Sequence, residues 1–137
     1  MIVVLCDGSS KGNPGPASIG VVAWDRANNP RIILPNYRYS QEIGVRTNME
    51  AEWSALLHAV NYVISKAMQE AYIFSDSQTV VNQANGEWKV RHPNIIPLYQ
   101  AFCDITQGLS NVHIAWVPRQ LVYLADMAAR KGGEKVS

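Results

Sequence analysis

The chain opens with three β-favouring segments joined by turn residues alone, and no other feature limits its fold as tightly. Ile2-Val-Val-Leu-Cys6 is a continuous apolar run of the kind that forms a buried central strand. It is cut by Asp7-Gly8-Ser9-Ser10-Lys11-Gly12-Asn13-Pro14-Gly15-Pro16, a stretch dense in turn formers. A second apolar segment, Ile19 to Trp24, follows, and the turn from Asp25 to Pro30 leads into a third, Arg31 to Tyr39. Strands joined with no room for a crossover helix pair antiparallel, so the first third is expected to be a three-stranded meander.

The period then changes. Met49, Glu52/Trp53, Leu56, Val60 and Val63/Ile64 recur every three or four residues, which marks an amphipathic helix with Thr47 or Asn48 as its N-cap. Ala71 to Phe74 reads as a strand, and β-α-β spacing favours a parallel, right-handed crossover. A short helix, Ser77 to Ala84, stops near Asn85-Gly86; another follows Pro93 and runs to about Gly108. Val112 to Val117 is a last strand and Leu121 to Arg130 a last helix, stopped by Gly132-Gly133. The order βββαβααβα implies an α/β domain, a mixed sheet with helices on its faces. No repeat, low-complexity stretch or linker interrupts it. With the Met1 start and the complete set of elements, one free-standing domain over residues 1–137 is expected.

Charge and cysteine usage narrow the classes. Twelve Lys and Arg against eleven Asp and Glu give a net charge of +1, which excludes an acidic disordered chain and a histone-like basic one. Any attraction to nucleic-acid phosphate must therefore come from a local patch. Cys6 and Cys103 lie far apart and read as reduced, buried thiols rather than a disulfide framework. The apolar N-terminal run is too short for a signal peptide or a membrane span, so a soluble, cytoplasmic protein is expected.

Four carboxylates need an explanation. Asp7 falls where the first strand runs out into the glycine-rich turn, and Asp76 falls at the same place after the fourth strand. Ligands of α/β sheets bind beyond strand ends, so the two can converge there. Taken singly, each reads as a turn or N-cap aspartate, with Asp76 capping a helix that starts at Ser77. Glu52 is harder to dismiss, because positions 49, 52, 56, 59/60 and 63 share one helical stripe and every other member is apolar. An acid on a packed face is costly unless a positive or hydrogen-bonding group meets it. Asp126 repeats the problem in Leu121-Val-Tyr-Leu-Ala-Asp126-Met-Ala-Ala, although an acid near a helix start is also favoured by the macrodipole. Hard oxygen ligands around one cleft repel each other without a cation and suit magnesium or manganese rather than zinc. No P-loop, dinucleotide fingerprint or Ser-His-Asp context competes with this reading.

Asp7-Gly8-Ser9…Gly12-Asn13-Pro14-Gly15-Pro16, Thr47-Asn48-x-x-Ala51-Glu52, Asp76-Ser77-Gln78 and Trp116-Val117-Pro118…Ala125-Asp126 together resemble type 1 ribonuclease H, in order and in separation, over nearly the whole chain. The resemblance implies a ribonuclease H-like five-stranded mixed sheet, order 3-2-1-4-5, flanked by helices. It also implies hydrolysis of the RNA strand of RNA/DNA hybrids with two magnesium ions, manganese substituting, to leave 5′-phosphate and 3′-hydroxyl ends. By position, Asp7, Glu52, Asp76 and Asp126 match the family's catalytic, metal-binding carboxylates. Asn13, Thr47 and Asn48 match positions that hold the nucleic-acid backbone or read the minor groove, and Ser9 and Ser10 lie where the family touches RNA 2′-hydroxyls. The chain looks like a subgroup without the basic protrusion and without the histidine loop. Arg119 stands near the place of the missing histidine, and Trp88 with Lys89 and Arg91 offers a substitute stacking and charged surface. Met49 replaces the polar residue that usually follows Thr-Asn. The implied partner is an RNA/DNA hybrid, bound by a monomer with no obligate protein partner. The alternatives are a same-fold nuclease that also cuts double-stranded RNA and a catalytically weak nucleic-acid-binding relative.

Overall fold

A computed structural model describes residues 1–25, 35–66 and 69–123. Its strands are β1 (Ile2–Ser10), β2 (Gly15–Asp25), β3 (Tyr37–Arg46), β4 (Ala71–Ser75) and β5 (Val112–Trp116). The helices are α1 (Asn48–Ile64), α2 (Gln78–Ala84) and α3 (Ile96–Thr106), and a 3₁₀ turn follows at Arg119–Val122. They form one mixed sheet in the order β3-β2-β1-β4-β5, the expected order. β1 pairs antiparallel with β2 and parallel with β4; β2–β3 is antiparallel and β4–β5 parallel. Among the described residues no helix is long and apolar enough to cross a membrane.

Several boundaries differ from the sequence expectation. β1 does not stop at Cys6: Asp7, Gly8, Ser9 and Ser10 continue it, opposite Gly20, Ile19, Ser18 and Ala17 of β2. Turn-forming residues stay extended there because a neighbouring strand satisfies their backbone groups. β3 lies at Tyr37–Arg46 rather than at Arg31 to Tyr39, of which residues 31–34 lie outside the described residues. It is a sheet edge with mostly exposed side chains, so it lacks an apolar signal. Of the two cysteines, both free, Cys6 is buried, but Cys103 is exposed on α3. The last helix was expected to begin at Leu121; the 3₁₀ turn begins at Arg119, and residues beyond Tyr123, Asp126 included, lie outside the described residues.

The core lies between the sheet and α1. Trp53, Leu56, Val60 and Val63 pack on Ile2, Val4, Val21 and Ile73. Trp53 is fully enclosed, and its indole N–H donates to Gln83 Oε1 at 2.9 Å. Its ring meets Tyr99 and Phe102 edge-on, at 6.0 and 5.6 Å. Thr47 caps α1 in a full capping box: its Oγ1 accepts from Glu50 N–H at 3.1 Å, and Glu50 Oε1 accepts from Thr47 N–H at 3.0 Å.

The first turn of α1 rests directly on β1. A Cβ at Gly8 would lie 2.2 Å from the Ala51 carbonyl and 2.5 Å from Glu52 N, so only glycine permits the approach. Gly8→Ala forces backbone against backbone, and overpacking of this kind costs about 3 kcal/mol. Chemical denaturation should register that loss; unchanged stability would contradict the close approach.

Candidate active site

The β1–β4 ladder ends at Leu5↔Phe74. Two residues further on stand Asp7, within β1, and Asp76, just past the end of β4, so the register brings them level where the strands part. The helix turn resting on Gly8 adds Glu52 from above. One carboxylate oxygen from each of Asp7, Glu52 and Asp76 lies within 4.8 Å of the others. Among the described residues this is the group whose spacing suits a metal ion. Its donors are all hard oxygens, which fit a small hard divalent cation and not a thiolate- or imidazole-preferring one.

Burial and charge press on this cluster. Asp7 is only 3% exposed, and the Asp76 side chain 9%. Burial pushes the Glu52 carboxyl above its ordinary value, and the Asp76 charge adds to this; a hydrogen bond from Ser77 and the Arg119 guanidinium pull the other way. Neighbouring Cys6 is pushed far up, first by burial and then by Asp7, Asp76 and Glu52. This thiol is therefore un-ionised and no competing ligand.

Ser77, not Asp76, caps α2: its Oγ accepts from Val80 N–H at 3.3 Å. That frees the Asp76 side chain for the cluster. Ser77 was not singled out in the sequence, although a serine at a helix start after a strand is a recognisable cap signal. Arg119 Nη1 donates to Asp76 Oδ2 at 3.2 Å, so the expected cation does reach the cluster, from a side chain 59% exposed.

The remaining expected residues fall into two places. Ser10, Asn13 and Asn48 tie the β1–β2 turn to the start of α1. Asn48 Oδ1 accepts from Ser10 N–H at 2.9 Å and from Ser10 Oγ at 3.0 Å, and Asn48 N–H donates to Asn13 Oδ1 at 3.0 Å. Thr47 is engaged as the cap, and Ser9 sits within β1 opposite Ser18. Trp88 and Lys89 lie in the exposed link between α2 and α3, outside this hydrogen-bonded rim; Trp88 is 50% exposed.

The chain belongs to the reverse transcriptase-like family, whose model matches residues 5–132. Within it, the likeness is to type 1 ribonuclease H. Over 128 residues, 93% of its length, the chain is 34% identical to a bifunctional protein of Mycobacterium tuberculosis, of which it covers 34%. It is 30% identical over 125 residues, 91% of its length, to a ribonuclease HI of Halobacterium salinarum, of which it covers 60%. The chain thus spans only about a third of the mycobacterial relative. The solved N-terminal RNase H domain of a Mycobacterium tuberculosis protein matches with a TM-score of 0.84 and 33% identity, over 95% of this chain and 91% of that one. LC11-RNase H1, solved in complex with an RNA/DNA hybrid, matches with a TM-score of 0.86 and 28% identity over 98% of both chains.

The crowding has a measurable sign. An acid whose folded pKa is raised leaves stability intact below its unfolded value, and stability falls as pH rises through the folded value. Glu52→Gln removes that loss. In EDTA its melting temperature should exceed that of the wild type at about pH 8 and approach it near about pH 3.5, below the ordinary glutamate value of about 4.3. Equal melting at both pH values would contradict the burial of an ionised Glu52.

Proposed function

We propose that this chain is an endoribonuclease that hydrolyses the RNA strand of RNA/DNA hybrids, leaving 5′-phosphate and 3′-hydroxyl ends. The observation that carries the reading is the convergence of Asp7, Glu52 and Asp76 within 4.8 Å. Likeness to a protein solved with an RNA/DNA hybrid supports the substrate class. In this reading the three carboxylates, with Asp126 as a fourth, hold two magnesium ions, manganese substituting. Bound there, such ions supply stabilisation of charge on the attacking and leaving oxygens of a phosphodiester.

The chain's own residues do the rest. Asp7 is fixed by β1, and its burial keeps bulk water from one side of the cluster. Glu52 enters from a capped helix, so its backbone moves little. Arg119 is a fixed positive charge, able to hold a phosphate oxygen but not to shuttle protons near neutral pH. Ser9, Ser10, Asn13, Thr47 and Asn48 form the rim that meets the hybrid's backbone and 2′-hydroxyls. Trp88, Lys89 and Arg91 give a second, exposed surface for stacking and charge.

Asp7→Asn, Glu52→Gln and Asp76→Asn should each abolish cleavage of end-labelled hybrid while the fold persists. Wild type should cut hybrid with Mg²⁺ or Mn²⁺ and not with EDTA, and should leave single-stranded RNA and DNA duplex intact. Equal cleavage of single-stranded RNA would overturn the reading; added cleavage of duplex RNA would broaden the substrate class.

Binding should be salt-sensitive. A net charge of +1 leaves few cations for one groove. Contact with about two to four phosphates, at roughly −0.7 to −0.9 each in the slope of log affinity against log salt, is expected. The double variant Lys89→Ala, Arg91→Ala should flatten that slope. An unchanged slope would place the charged surface elsewhere.

A further inference from the structure

Asp76 has an unusual position for a residue that must be held still. β4 ends at Ser75 and α2 begins at Gln78, so Asp76 belongs to neither ladder nor helix. What meets it comes from the end of β5. Val117 N–H donates to the Ser75 carbonyl at 3.0 Å, continuing the strand pairing by one bond. Trp116 Nε1–H donates to the Asp76 carbonyl at 3.0 Å. Arg119 reaches the carboxylate itself.

The Trp116 bond acts on a single peptide plane. The Asp76 carbonyl and the Ser77 N–H belong to the same rigid unit. Trp116 holds that unit by its oxygen, and Ser75 Oγ accepts from its N–H at 3.1 Å. The two residues joined by the plane are Asp76, a member of the cluster, and Ser77, the cap of α2. One indole N–H therefore fixes the link between Asp76 of the cluster and the start of α2. The ring is 44% exposed, so burial fixes it only in part and the hydrogen bond does the rest.

We propose that Trp116 is a positioning residue for the cation site, fixing the Asp76–Ser77 peptide so that the Asp76 carboxylate meets a divalent ion beside Asp7 and Glu52 without rearrangement. This rests on the reading of Asp7, Glu52 and Asp76 as metal ligands. The Trp116 bond goes to the Asp76 main chain and not to its carboxylate; it leaves those oxygens to the cation and removes the freedom of the chain that carries them. Groups that orient ligands in this way are worth roughly ten-fold or more in metal affinity.

The test is Mn²⁺ binding to the whole chain by titration calorimetry, without nucleic acid. Two variants are compared with wild type: Trp116→Phe, and Trp116 replaced by benzothienylalanine, which keeps the bicyclic shape and lacks the N–H donor. Both should bind Mn²⁺ about ten-fold more weakly, with the melting temperature in EDTA unchanged. Wild-type affinity in the benzothienylalanine protein overturns the proposal, whatever Trp116→Phe does. A lower melting temperature with unchanged affinity reduces Trp116 to a structural residue and overturns it too. A wild-type chain that binds no Mn²⁺ overturns the metal-site reading itself, and the positioning role with it.

Discussion

Three carboxylates held within 4.8 Å repel one another, and the rest of the structure is arranged to keep them there by backbone rather than by side-chain choice. The parallel register of β1 and β4 brings Asp7 and Asp76 level. Gly8 lets the first turn of α1 sit on β1 with no side chain between, and that contact carries Glu52 to the same point. The helix that does this is anchored at both faces of the problem. Thr47 and Glu50 close its N-terminus, and Trp53, one residue past Glu52, is fully enclosed in the core. Moving Glu52 away would expose Trp53, and hydrophobic burial of that size outweighs a single like-charge contact in a partly wet site.

The second half of the site is held differently. Asp76 follows a short strand and precedes a short helix, so its position depends on neighbours: Ser75 and Ser77 on its own segment, Trp116, Val117 and Arg119 on the next. Neutral groups grip the main chain, while the Arg119 guanidinium grips the carboxylate. The division has a chemical sense. A main-chain grip persists whatever occupies the site, whereas an exposed guanidinium can exchange a carboxylate for a phosphate at little cost.

How much of this was legible in the sequence depends on what each residue's neighbours hide. The element order followed from turn-rich gaps and a change of period, because apolar burial dominates both; the sheet order came only with the resemblance to type 1 ribonuclease H. Glu52 was legible for the opposite reason, as one acid on an otherwise apolar stripe. β3 was misplaced because an exposed edge strand carries polar residues such as Arg38, Ser40 and Glu42 and so shows no alternation. β1 was cut short because the residues that end most strands, Asp7 and Gly8, here serve the cluster and the helix contact. The cap of α2 was assigned one residue early, since Asp76 and Ser77 are equally good caps by type and only their hydrogen bonds separate them. Trp116 stood in a motif of the resemblance but gave no sign of its bond: a contact from an indole to a carbonyl forty residues away leaves no local pattern.

The central claim is that the carboxylates of Asp7, Glu52 and Asp76 share a divalent cation, and crystallography with an anomalous scatterer tests it without reference to activity. Crystals of the chain soaked in Mn²⁺ should give an anomalous peak with oxygens of Asp7, Glu52 and Asp76 at roughly 2.1 Å, the distance kept by a small hard cation. A map in which Mn²⁺ binds elsewhere, with those three carboxylates unligated at saturating metal, would contradict the account.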